Sequence, residues 1–268
     1  MSFTICCFDL AENPSAAMSV SVPSNYAPAP TLLHDRVILV TGAGAGIGRC
    51  AAITFARHGA TVILCGRTVA RLESVYDEIL TAGSPEPAIY PLCLEGATET
   101  HYQEMAEQIT DQFGRLDGLL HNAALLGERT TLANYGAVSW ARVLQVNVTA
   151  EFLLTKALLP TLREAPDASV LFTSSGVGRE GRAFWGAYAV SKFAVEGMSQ
   201  VLAAELERTS RIRVNCINPG ATRTAMRAAA YPAEDPATLK TPADLMPAYL
   251  YLMGPDSRGV TGQSFDAQ

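Results

Sequence analysis

The sequence predicts an α/β domain, a doubly wound parallel sheet with helices on both faces. Apolar strand-like runs alternate with helix-like segments from about Leu33 to the end, the order that produces a parallel sheet. A glycine-rich turn joins the first run to the first helix, as βαβ units require. Residues 33–268 are enough for one domain with a sizeable core, and 49% hydrophobic against 17% charged residues fits a well-buried sheet.

Val37 to Val40 is a short apolar run, read as a buried strand at 37–41. A helix at 46–58 ends near Gly59, and a second strand covers 60–65. The pattern continues with a helix at 68–82, a strand at 88–93, a helix at 98–113 and a strand at 117–121. A long helix spans 138–163, interrupted or ended by Pro160. A strand at 169–174, a helix at 186–208 and a strand at 212–217 follow. Helix 242–253 then precedes a final strand at 262–265. The segment 221–241 is rich in Ala, Pro and Thr and follows the carboxyl end of a strand. Open α/β sheets bind ligands there, so it is expected to be a substrate lid.

Residues 1–30 differ in character. They are rich in Ser, Ala and Pro, and Asp9 and Glu12 break the apolar start. They do not make a signal peptide and are expected to form a disordered extension, with 31–268 as the folded domain. Met18 offers an alternative start. The net charge of −6 and the absence of a basic run argue against nucleic acid and anionic membranes. No apolar stretch approaches a membrane-spanning length. Cys50, Cys65, Cys93 and Cys216 have no metal-ligand spacing and read as small buried hydrophobes. That usage fits a reducing, cytoplasmic compartment. Cys6-Cys7 is expected to be exposed.

The glycine turn reads Thr41-Gly42-x-Gly44-x-Gly46-Ile47-Gly48. Glycines let a backbone approach a pyrophosphate, and a helix N-terminus favours the anion. In this strand–turn–helix context the pattern points to a dinucleotide, although it is not the G-x-G-x-x-G fingerprint.

Downstream, Tyr188 and Lys192 lie four residues apart in WGAYAVSKFAVEG, with Ser175 thirteen residues before the tyrosine. The chain has three lysines, Lys156, Lys192 and Lys240, so a chance pair at this spacing is improbable. Residues i and i+4 share a helix face. A neighbouring cation favours a phenolate, which makes a tyrosine usable as a proton donor near neutral pH. A lone Tyr-x-x-x-Lys is more often a solvated helical pair, and Ser174-Ser175 alone is an ordinary strand end or cap. The glycine turn upstream weighs against those readings.

Together these halves resemble the short-chain dehydrogenase/reductase family of single-domain Rossmann-type enzymes. The markers are TGAGAGIG at 41–48, HNAA at 121–124, Asn147 in QVNV, Ser175, Tyr188-x-x-x-Lys192 and NPG at 218–220. Stretches such as GRLDGLLHNAALLG and VNCINPGATRTAMR resemble the bacterial subgroup of uncharacterised YciK-type oxidoreductases. The resemblance implies an oxidoreductase acting on a small carbonyl or alcohol, with Tyr188 as general acid/base. Lys192 would hold the ribose and lower the tyrosine pKa, Ser175 would bind the reacting oxygen, and Asn147 would support a proton relay. It implies cofactor contacts at Asn122, Ala123 and Ala124, at Leu94, and at Pro219, Gly220, Thr222 and Thr224. His121 stands where the family has a mainly structural Asn and reads as a packed strand-end residue. Cys93 replaces an adenine-contacting Asp.

Gly66-Arg67 stands where an NAD enzyme has an acid for the ribose 2′-hydroxyl. Arg67 can meet a 2′-phosphate, so NADP(H) is favoured over NAD(H), with Arg49 a candidate helper. Leu125, Leu126, Phe184, Trp185, Met226 and Tyr231 are candidates for an apolar pocket wall. Arg179, Arg182, Arg223 and Arg227 are candidates for reading an anion. The family also implies a homo-oligomer, a dimer or tetramer. The competing reading is a catalytically silent NADP-binding sensor or scaffold, which retention of Ser175, Tyr188 and Lys192 opposes.

Overall fold

The computed structural model describes residues 20–23 and 25–268. Cys6-Cys7 and the first nineteen residues lie outside that range. One parallel sheet organises the chain. Its strands are β1 (Val20–Ser21), β2 (Val37–Thr41), β3 (Thr61–Gly66), β4 (Ala88–Pro91), β5 (Gly118–His121), β6 (Ala168–Thr173), β7 (Ile212–Asn218) and β8 (Ser264–Asp266). Their order is β1-β8-β7-β6-β5-β2-β3-β4, and every pairing is parallel. The order reverses between β2 and β5, and a crevice opens at their carboxyl ends.

Strand residues alternate between two cores because successive side chains point to opposite faces. Leu39 and Ile63 join one core, packed by α3 (Glu99–Phe113), α5 (Ala150–Arg163) and α6 (Gly186–Leu206). Ile38, Val40 and Leu64 join the other, packed by α1 (Gly46–Arg57), α2 (Val69–Thr81) and α8 (Met246–Met253). Each fully buried large apolar side chain in these layers contributes about 1.5–3 kcal/mol. At the amino end of the sheet, Asp167 gathers Arg36, Arg213 and Arg258 at 2.5, 3.1 and 3.5 Å. That charge cluster lies at the opposite end from the crevice.

Most expected elements stand within two residues of their observed bounds, and four expectations need correction. Pro160 does not end the long helix, since α5 runs through it to Arg163. The interruption comes earlier: α4 (Ala137–Leu144) gives way to a π-helix at Gln145–Thr149 before α5 begins. Helix 242–253 divides into a 3-10 turn at Pro242–Leu245 and α8. Strand β4 stops at Pro91, which leaves Cys93 exposed in the following loop rather than buried. Finally, the described part of the N-terminal extension is not loose. Val20–Ser21 pairs with Phe265 and Asp266. Tyr26 packs edge-on against Tyr251 at 5.2 Å and donates a hydrogen bond to Asp256 at 2.9 Å. Among the described residues, no helix is long and apolar enough to cross a membrane.

Candidate active site

The crevice holds a cleft of about 380 Å³. It is lined by the glycine turn, the ends of β3, β5 and β6, the loop after β7, and α7 (Ala225–Ala230). Sixteen of the residues expected to be catalytic or cofactor-binding line it: Gly42, Gly44, Gly46, Ile47, Arg67, Leu94, Asn122, Ala123, Ala124, Ser175, Tyr188, Lys192, Pro219, Gly220, Thr222 and Thr224. Thr41, Gly48 and Asn147 do not; they shape it from behind.

The glycine turn is built for close approach. Gly42 and Gly46 have φ of +68° and +55°, a region that glycine enters without strain. At Gly48 a Cβ would lie 2.4 Å from the Gly42 carbonyl oxygen and 2.5 Å from Asn122 Nδ2. Only hydrogen fits there, so α1 can start against the turn with its first amides facing the cleft. Thr41 Oγ1 accepts from the backbone N–H of Asn122 and of Ala123, at 2.9 and 3.1 Å. It thereby pins the end of β5 to β2. Asn122 turns its amide onto the Thr41 carbonyl at 3.2 Å. These residues fit a pyrophosphate lying on the turn.

At the end of β3, Arg67 and Arg71 both line the cleft. Arg71 sits on the first turn of α2, one helical turn beyond Arg67. Among the described residues neither is in an ion pair. Arg49, in contrast, is held by Glu78 and lies outside the cleft lining. Sequence reading missed Arg71, although its i+4 spacing from Arg67 was a visible signal.

The three candidate catalytic side chains come from two elements. Ser175 follows β6 and opens a 3-10 turn, Gly176–Gly178. Tyr188 and Lys192 lie on the first turns of α6, 9% and 1% exposed. A Cβ on Gly178 would lie 2.8 Å from the backbone and side chain of Lys192, so the serine turn packs directly on α6. Lys192 Nζ donates to the Thr173 carbonyl at 2.6 Å and lies 5.8 Å from the centre of the Tyr188 ring. Thus Ser175, Tyr188 and Lys192 meet at one end of the cleft.

Asn147 stands in the π-helix, completely buried. Its Oδ1 accepts from Leu125 N at 2.8 Å. Its Nδ2 donates to Leu125 O at 2.9 Å and to Ser191 Oγ at 3.0 Å. Ser191 Oγ in turn donates to the Tyr188 carbonyl at 2.7 Å. The side chain is therefore committed to holding the loop after β5 and the start of α6. π-Bulges of this sort are common at functional sites.

His121 is a packed residue. It stacks on Phe172 at 4.7 Å, and Nε2 meets Thr155 Oγ1 at 2.8 Å. Burial, aided by the Lys192 charge, pushes its pKa down to about 3, so it is neutral.

The segment 221–241 folds on itself. Thr222 bridges Lys240, Arg227 pairs with Glu234 at 2.5 Å, and Thr224 caps α7 by accepting from Arg227 N. Its Met226 and Ala230 pack with Trp185, Tyr188, Leu126 and Tyr231. Phe184 does not share that wall; it points outward, 54% exposed. Of the anion-reading set, Arg179 is committed to Glu196 and Asp266, Arg182 and Arg223 do not line the cleft, and Arg227 lines it while paired with Glu234.

Residues 36–235 match the short chain dehydrogenase family model. The chain belongs to that family. It is 56% identical over 244 residues to the uncharacterised oxidoreductase YciK of Escherichia coli K12, covering 91% of this chain and 96% of the relative. Among solved structures, a short chain dehydrogenase from E. coli CFT073 complexed with NADPH superposes with a TM-score of 0.87. It shares 56% identity and covers 90% of this chain and 100% of its own. One from Shigella flexneri 2a complexed with NADP gives 0.87 at 55% identity, with the same coverage. The short chain dehydrogenase fold thus accounts for the sheet order, and the chain is an oxidoreductase of this family, subgroup included.

Proposed function

We propose that the protein is an NADP(H)-dependent reductase or dehydrogenase of a small, largely apolar carbonyl or alcohol. The observation that carries this reading is the convergence of Ser175, Tyr188 and Lys192 on the cleft that the glycine turn also lines. When bound, the nicotinamide supplies or accepts the hydride. The turn and the α1 N-terminus would hold the pyrophosphate. Arg67 and Arg71 would grip the 2′-phosphate through charge-assisted hydrogen bonds. Lys192 would reach the ribose side, and Thr224 and the Pro219-Gly220 turn would border the nicotinamide.

The chain's own side chains then handle the substrate oxygen. Tyr188 gives a proton to the carbonyl oxygen in reduction and takes it back in oxidation. Ser175 hydrogen-bonds the same oxygen and fixes its direction. Asn147 acts through Ser191, keeping the first turns of α6 in place. The apolar wall of Leu126, Trp185, Met226 and Tyr231 excludes water and selects an apolar substituent, and 221–241 forms the lid above it. The buried thiols Cys65 and Cys216 fit a cytoplasmic enzyme.

A panel of aliphatic and aromatic ketones and aldehydes, assayed by loss of NADPH absorbance, tests this reading. Oxidation of NADPH with one or more of them, abolished by Tyr188→Phe, supports it. Turnover that survives Tyr188→Phe in a folded variant refutes the assignment.

A further inference from the structure

Two turns border the reacting end of the cleft, and one further segment holds both. After β6, Ser174 and Ser175 line the cleft; after β7, Pro219, Gly220 and Thr222 do. Residues 264–268, which begin with β8, lie outside that lining.

Gln268 packs on the turn after β7. Its Nε2 donates to the carbonyls of Pro219 and Ala221 at 2.5 and 3.2 Å. An amide nitrogen has two hydrogens, so a longer contact to Thr222 Oγ1 at 3.4 Å is secondary. Gly220 has φ of +67°, and a Cβ built on it would lie 2.7 Å from Gln268 Nε2. Glycine is needed there both for the backbone angle and for room to seat the amide.

Asp266 acts one step further back. Its Oδ1 accepts from Asn218 Nδ2 at 2.8 Å and from Arg179 Nη1 at 2.9 Å. Asn218 Oδ1 accepts from Gly220 N at 3.0 Å, which fixes the same turn. Arg179 caps the 3-10 turn that follows Ser175. It also donates to Glu196 of α6 at 3.2 Å and to Ser264 Oγ at 2.6 Å. One carboxylate oxygen thus joins the serine turn to the turn after β7.

Reacting atoms must be held about 3–3.5 Å apart, and a shift of ~1 Å can cost about 10²-fold in rate. Under the reading above, the turn after β7 borders the nicotinamide and Ser175 holds the substrate oxygen. Their separation depends on what ties the two turns together. We propose that Asp266 and Gln268 are positioning residues that fix the turn after β7, and with it the nicotinamide end of the cofactor, against the serine turn. The proposal rests on the NADP(H) reading. Both residues act from outside the cleft, through Asn218, Arg179 and the carbonyls of the turn.

Two ligands separate this role from general support of the fold. NADPH carries the nicotinamide; adenosine 2′,5′-bisphosphate carries the adenosine and the 2′-phosphate without it. In calorimetric titration, Gln268→Ala should weaken NADPH about 3–10-fold, the worth of one hydrogen bond, and leave adenosine 2′,5′-bisphosphate unchanged. Gln268→Glu keeps the size but turns an oxygen with no hydrogen toward the Pro219 and Ala221 carbonyls, so it should lose at least as much. Asp266→Ala should show the same split. Asp266→Asn, with a smaller split, serves if the alanine variant does not fold. In each variant the fluorescence of bound NADPH should move toward that of the free cofactor. A Gln268→Glu variant that binds NADPH as the wild type does overturns the proposal. So do variants that lose both ligands equally, which would mark a purely structural role. A wild type that binds NADH and ADP but neither 2′-phosphorylated ligand overturns the NADP(H) reading alone, and NADH against ADP then decides the positioning role in the same way.

Discussion

Replacing Tyr188 by Phe deletes one hydroxyl and keeps the ring that packs against Trp185 at 5.6 Å. Folding and NADPH affinity should persist, while turnover should fall by about 10²–10⁴, the usual contribution of a positioned acid. Steady-state rates and cofactor fluorescence titration check the two halves of that expectation. Arg67→Ala and Arg71→Ala should each weaken NADPH by about 1.5–3 kcal/mol, the range for a bond to a charged group, and leave NADH nearly unchanged. Equal losses for both cofactors would show that the arginines do not read the 2′-phosphate. The meeting of Ser175, Tyr188 and Lys192 on one cleft was legible because the chemistry proposed for them dictates spacing: a helical i, i+4 pair after a strand-end serine. Arg71 was not singled out, because a charged helix residue reads the same whether it faces solvent, ligand or core.

At the scale of elements, the alternation of apolar runs and helices exposed nearly every strand and helix. What it could not show was the π-helix at Gln145–Thr149. Nothing in QVNVT announces a widened turn, and the visible breaker, Pro160, proved compatible with a continuing helix. The described end of the N-terminal extension departs from expectation for a related reason. Two residues of strand and one tyrosine have no periodicity to detect, yet β1 lies on the edge of β8 and Val22 and Tyr26 pack on the core. A chain starting at Thr31 should therefore melt lower by about 5 °C, given ~0.5–1.5 kcal/mol for an aromatic pair plus the lost strand contacts and ~2–4 °C per kcal/mol. An unchanged melting temperature would show that this edge carries no stability. At the far end of the sheet, the surrounding arginines hold the Asp167 carboxyl below its ordinary value despite its burial. Its stabilising effect is thus present at neutral pH and lost as pH falls through that lowered value. Asp167→Asn should cost about 3–5 kcal/mol in urea unfolding at pH 7, since it leaves buried Arg213 short of its partner.

At the scale of the whole molecule, the described residues leave an apolar stripe exposed. On α6, Val190, Phe193 and Val201 are 42%, 46% and 59% exposed, and Phe152 on α5 is 51% exposed. Their spacing along α6 follows a single helix face. Gly197 lies between them, and a Cβ built on it meets nothing within 4 Å. The stripe therefore has a low point at which a second helix can approach closely. A patch of this kind matches itself under a two-fold axis, the commonest closed symmetry. The net charge of −6 is too small to oppose such contact at physiological salt, where surface charges are screened beyond about 8 Å. Light scattering at micromolar concentration should therefore give a multiple of the 28.5 kDa chain mass. Phe193→Glu places a charge in the middle of the stripe, where pairing would bury it unpaired. That variant should scatter as a single chain, or as a smaller assembly than the wild type, while its circular dichroism stays native. A wild type that scatters as one chain would show that the stripe is open surface, and a Phe193→Glu variant that keeps the full assembly would place the contact elsewhere on the molecule.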